Sequence, residues 1–210
     1  MGGIPDKQVE WAVVNRMKRM LETPRTDFSV TETFALFSSI VMWAKNRAWT
    51  SEMDEGERDV AARSVRAGLG KALILDPPWA LSRGFSSRNG GEDKSPFLRG
   101  QVNKNFEGMT AAQFFKWLRD ALAHGDGRTV KPLHRPARDG QTEWLGGFEI
   151  SFNETKGSKN SLVLTLTKDD MRSLGVGLAD AFCAALAGNK NYAQLDLATR
   201  VVEASAVKAA

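Results

Sequence analysis

Apolar residues recur at intervals of three and four in five separate stretches of this chain, a periodicity that fits helices packed into a bundle. From Asp6 to Glu22 the stripe is Val9, Val13, Met17 and Met20, and Pro24 ends it. Ser29 and Glu32 have the spacing of a capping box, which satisfies free N–H groups at a helix start. Phe34, Phe37, Val41, Ala44 and Ala48 follow, predicting a long second helix. Asp54 and Glu57 open a third, carried by Ala61, Val65, Leu69 and Leu73 and stopped by Pro77 and Pro78. Thr110 and Gln113 cap a fourth, with Gly125 and Gly127 at its end. Thr167 and Asp170 cap a last helix through about Ala187, bearing Leu174, Leu178, Ala181, Phe182 and Ala185. Residues 191–210 read as a further helix or a flexible tail.

Between the fourth and last helices the period changes to two. Gly147-Phe148-Glu149-Ile150-Ser151-Phe152 alternates, as does Leu162-Val163-Leu164-Thr165-Leu166. The polar, Gly-containing stretch between them predicts a β-hairpin over about 147–166. Asp76 to Gly108 is rich in Ser, Arg, Gly, Asn and Lys without a clean period. It reads as a long excursion, mobile over about Ser82–Lys104, with Trp79, Phe85 and Phe97 as anchors; a structured lid is the competing reading. Arg128 to Arg138 reads as a basic loop. The expectation is a mainly α domain over about 1–190, with a small hairpin that cannot be a core by itself.

With 210 residues, 42% of them hydrophobic, the chain can bury a sizeable core. Its single cysteine, Cys183, excludes an intrachain disulfide, and its apolar helical surroundings predict a buried, inert thiol. Met1 to Asp6 lacks the apolar segment of a signal peptide, and no apolar run reaches membrane-spanning length, so a soluble cytoplasmic protein is expected. One cysteine and two histidines, His124 and His134, do not make a closed zinc site. There is no Gly-rich phosphate loop, and no cofactor or metal is expected. The formal charge of +4 permits a polyanionic partner.

The fourth helix carries the chemistry. Phe114, Phe115, Trp117, Leu118, Ala121 and Leu122 gather on one side, and Gln113, Lys116, Arg119, Asp120 and His124 on the other. Asp120 and His124 are four apart, so the carboxylate can reach the imidazole; Arg119 and His124 are about 140° apart around the axis and can flank a shared ligand. A fixed cation and a group that moves protons near neutral pH are what phosphodiester chemistry needs. RNA supplies its own nucleophile, the 2′-OH. His124 can act as base or acid, Arg119 can hold the phosphate, and Asp120 can orient His124. The plainer reading is a surface helix whose last-turn histidine favours the helix dipole.

Arg119-Asp120-Ala121-Leu122-Ala123-His124, on a late helix of a bundle, resembles the Arg-x4-6-His signature of the HEPN superfamily. The order of elements, with a hairpin between the motif helix and the last helix, is similar too. The specific motif spans six residues. The resemblance implies a HEPN-like bundle and a metal-independent endoribonuclease, of the kind found among toxins and defence proteins. It implies a homodimer that brings two motifs into one cleft, and an antitoxin or regulatory protein as a further partner. Some similar proteins are catalytically silent modules that bind nucleic acid, nucleotides or proteins. The tyrosine that nucleotidyltransferase-modified toxins carry shortly after the histidine has no counterpart here, where Gly125, Asp126 and Gly127 follow.

Arg128, Lys131, Arg135 and Arg138 lie in a stretch free of acidic residues and are candidates for the RNA backbone, against the alternative of a solvated basic loop. His134 is an alternative second imidazole or an ordinary loop histidine. Trp43, Trp49 and Trp117 fit core packing, while Trp79 and Trp144 are the better candidates for base stacking.

Overall fold

A computed structural model describes residues 9–23, 29–49, 64, 66–82, 103, 106–125, 127, 129–136, 143–153 and 161–187; of residues 47–49, 135–136, 143–144, 152–153 and 161 it describes the backbone alone. The element order is α1 (Val9–Glu22), α2 (Ser29–Trp49), α3 (Ala111–Ala123), β1 (Val130–Pro136), β2 (Glu143–Asn153), β3 (Ser161–Thr167) and α4 (Lys168–Ala187). The fold is mainly helical, with a small antiparallel sheet of order β1-β2-β3. Among the described residues no helix is long and apolar enough to cross a membrane.

The helix starts follow their capping chemistry. Thr110 caps α3, its hydroxyl accepting from Gln113 N at 3.3 Å. At α4 the exchange is reciprocal: Asp170 N donates to Thr167 Oγ1 at 3.0 Å, and Thr167 N donates to Asp170 Oδ2 at 3.0 Å. One core joins the layers. Phe37, Ile40, Val41 and Ala44 of α2 meet Phe114, Phe115 and Leu118 of α3, with Leu174, Leu178 and Phe182 from α4 and Ile150, Leu164 and Leu166 from the sheet. Gly175 sits where three helices close: a Cβ built there would lie 2.7 Å from Leu21 Cδ1 and 3.2 Å from Phe37 Cδ2.

The stripe expected on α1 is displaced. Val9 and Met20 are exposed, and the buried set is Trp11, Ala12, Val14 and Leu21. Trp11 and Leu21 are larger anchors than the valines, so their side of the helix turns inward. The third helix expected to run through Leu73 stops earlier. Residues 66–69 are helical, then Gly70 takes a φ of +65° and its N–H bonds to the Ala67 carbonyl at 3.0 Å. Leu73 lies beyond that stop and pairs with Thr110 in an isolated antiparallel bridge. The start of that helix lies outside the described residues, as do residues 191–210.

One loop expectation is corrected. The stretch from Arg128 to Arg138 contains strand β1, paired antiparallel to β2 from Val130↔Ile150 to Pro136↔Glu143. Pro132 and Pro136 suggested a loop, but β1 is an edge strand, where a missing N–H is tolerated. The hairpin is therefore part of a three-stranded sheet, and its first strand reaches back to Glu143. Register shifts between Leu133 and His134, leaving Gly146 as the extra residue of a bulge.

The excursion from Asp76 to Gly108 is anchored at both ends. Trp79, Leu81, Phe106 and Met109 are buried in the core, and Trp79 packs edge-on against Phe115 at 5.2 Å. Trp79 is thus a core residue and not a stacking platform. Asn103 is wholly buried; its amide nitrogen donates to the Ser82 carbonyl at 2.7 Å and the Thr165 carbonyl at 2.9 Å, and its amide oxygen accepts from Thr165 N at 2.9 Å. Ser82 in turn donates to the Asp170 carboxylate through N at 3.0 Å and Oγ at 2.7 Å. Ser82 and Asn103, which lie within the Ser82–Lys104 range expected to be mobile, are tied to α4 and β3 by these bonds; the rest of that range lies outside the described residues, as do Phe85 and Phe97.

Candidate functional site

The candidate site lies where α3 rests on α2. Arg119 projects from α3 onto the α2 seam. Its Nη1 donates to Asp120 Oδ1 at 2.9 Å and its Nη2 to Asn46 Oδ1 at 3.1 Å. The same carboxylate oxygen of Asp120 lies 3.5 Å from Lys45 Nζ. Asp120 thus stands between two cations and holds both at the seam. Lys45 is largely covered, whereas the Arg119 side chain remains 27% exposed, with its Nε buried and without a hydrogen-bond partner. A guanidinium has five N–H donors, and these two bonds use two of them.

His124 is the C-cap of α3, with φ −109° and its N–H bonded to the Asp120 carbonyl at 3.2 Å. Its imidazole is exposed. The Asp120 carboxylate, which four-residue spacing allows to reach the His124 imidazole, engages Arg119 and Lys45. Gly125 follows in a confined place: a Cβ built on it would lie 2.8 Å from the Ala121 carbonyl oxygen and 3.1 Å from Val130 Cγ2. The tightest of these contacts is with the helix's own last carbonyls, so a residue without Cβ lets the chain turn closely against the end of α3.

The basic candidates are not gathered with this pair. Lys131 is exposed on edge strand β1, directly opposite Glu149. Phe148, the next residue of β2, stacks on Phe34 of α2, so strand alternation puts Lys131 and Glu149 on the sheet face turned away from the helices. Arg135 occupies a β1 position opposite Trp144, and His134, exposed, lies in the strand opposite Leu145. Arg128 and Arg138 lie outside the described residues. Trp43 and Trp117 are half-buried against the core, as their helical spacing predicts.

Beside the seam runs a groove of about 590 Å³, lined by Phe34, Ser38 and Trp43 of α2, Leu122 and Gly125 at the end of α3, and Val130 of β1. The Ser38 hydroxyl oxygen is buried without a hydrogen-bond partner. Lys45, Asn46 and Ser38 carry no local signal in the sequence. They are polar residues on a mostly apolar helix, and only the docking of α3 gives them a role.

No protein-family model matches the chain, and neither does a curated protein or a solved structure.

Proposed function

We propose that the protein is a metal-independent endoribonuclease of HEPN type, possessing one Arg119/His124 motif per chain. The observation that carries this reading is the placement of the two groups: a part-exposed guanidinium held at the α2–α3 seam by Asp120 and Asn46, and an exposed imidazole at the end of the same helix. Arg119 would neutralise charge developing on the phosphorane. His124 would transfer a proton, either from the 2′-OH or to the leaving 5′-oxygen. One chain offers one such imidazole, so a base and an acid together call for two chains. Dimerisation with both motifs facing a common groove supplies them. A strict monomer by sedimentation at micromolar concentration, with and without RNA, would remove this form of the mechanism.

A second reading is a catalytically silent module that binds nucleic acid, a nucleotide or a protein partner. It is favoured by the bonds that already occupy Arg119 and by the engagement of Asp120 away from His124. RNA cleavage in excess chelator separates the two. Cleavage that disappears in both Arg119→Ala and His124→Ala, each still folded, supports the ribonuclease. RNA binding with no cleavage supports the module.

A further inference from the structure

We propose that the groove between α2 and the end of α3 is a nucleotide subsite that seats one base of single-stranded RNA, with the attached phosphate directed along the seam to Arg119. This rests on the ribonuclease reading for its role, but not for its geometry. The groove volume of about 590 Å³ falls within the range of small-ligand sites. Two aromatic side chains, Phe34 and Trp43, line it. The Phe34 ring is already stacked at 4.0 Å on Phe148, so a base laid on Phe34 would extend an existing pile of rings. An apolar slot alone would not select a base from any other flat molecule. The Ser38 hydroxyl supplies the polar group: it is buried, lacks a partner, and can either donate to or accept from a base edge. A buried polar group without a partner is costly, and a ligand that satisfies it recovers that cost.

The phosphate end follows from helix geometry. Asn46 is three residues beyond Trp43 on α2, and Arg119 is three residues before Leu122 on α3. The bond between Arg119 and Asn46 therefore lies about 5 Å along the seam from the lining residues, close to one helical turn. A single ribose bridges a gap of that size. Nη1 and Nη2 of Arg119 each retain one N–H beyond the bonds to Asp120 and Asn46, while Nε is buried, so a phosphate is received through the Nη donors without releasing either bond.

The test is a calorimetric titration of the full chain with each of the four nucleoside monophosphates, with the four nucleosides, and with inorganic phosphate. Saturable binding of at least one monophosphate is expected, with the matching nucleoside weaker and phosphate alone weaker still. Ser38→Ala should weaken that binding by about 5-fold. Ser39→Trp, which places bulk on the groove lining, should abolish it; circular dichroism checks that both variants fold. No saturable binding at millimolar monophosphate overturns the proposal, as does unchanged affinity in folded Ser39→Trp. A shift in oligomeric state in Ser39→Trp, without nucleotide binding in the parent, overturns it in favour of a protein occupant. Nucleotide binding lost in Ser39→Trp in a chain that never cleaves RNA leaves the subsite standing and removes only the ribonuclease. Cleavage by a chain whose groove binds no nucleotide does the reverse.

Discussion

Arg119 Nη2 donates to Asn46 Oδ1 at 3.1 Å, fastening the first residue of the motif to a neighbouring helix. Together with the bond to Asp120, this holds a flexible side chain in one geometry. Preorganised charge stabilises a transition state without reorganisation at the moment of reaction.

The first prediction concerns that fastening. Arg119→Ala should lower kcat/KM for RNA cleavage by about 100-fold or more, the scale of losing one preorganised donor. Asn46→Ala leaves the guanidinium and removes one of its two anchors, so a loss of about 3- to 10-fold is expected. Arg119→Lys keeps the charge but not the planar fork and should resemble Arg119→Ala more than the parent. Unchanged kcat/KM in Asn46→Ala would show that the seam does not position Arg119.

The second concerns Asp170. Its carboxylate accepts from Ser82 N, Ser82 Oγ, Thr167 N and Thr167 Oγ1, joining the start of α4 to the residue before the 83–102 segment. Asp170→Ala leaves these donors without their acceptor in a largely buried site. A loss of about 3 kcal/mol is expected in denaturant unfolding, with Asp170→Asn losing less because one oxygen remains. A midpoint unchanged in Asp170→Ala would show that the clasp adds nothing to stability.

These two sites show what a sequence can and cannot disclose. Thr167 and Asp170 are legible because capping is local: three residues of spacing carry the whole interaction. The apolar face of α3 is legible for the same reason, since Phe114, Phe115 and Leu118 meet the core wherever the helix docks. On α1, by contrast, two stripes compete, and only packing selects Trp11, Val14 and Leu21 over Val9 and Met20. β1 is hidden by Pro132 and Pro136, whose compatibility with a strand depends on its being at an edge. Asn46 and Lys45 gain their role from a helix 73 and 75 residues away in sequence, respectively, and nothing local announces it.

The third prediction is a pH dependence. Burial, helped by the nearby Asp180 carboxylate, pushes the Cys183 thiol up from an ordinary 9.0 to about 12. Because the raised value favours the protonated form in the fold, its contribution to stability is complete below about pH 9 and is lost as pH rises towards 12. Alkylation of Cys183 by iodoacetamide should thus be slow at pH 8 in the folded chain and fast after unfolding. Equal rates in the two states would contradict this account of the thiol.

The most direct test of the central claim compares an RNA substrate with the same sequence bearing 2′-deoxyribose throughout, each exposed to the parent chain and to His124→Ala in excess chelator. Only RNA should be cut, and only by the parent, leaving a 2′,3′-cyclic phosphate on the upstream product. Equal cleavage of the deoxy strand, or full activity in His124→Ala, would contradict it.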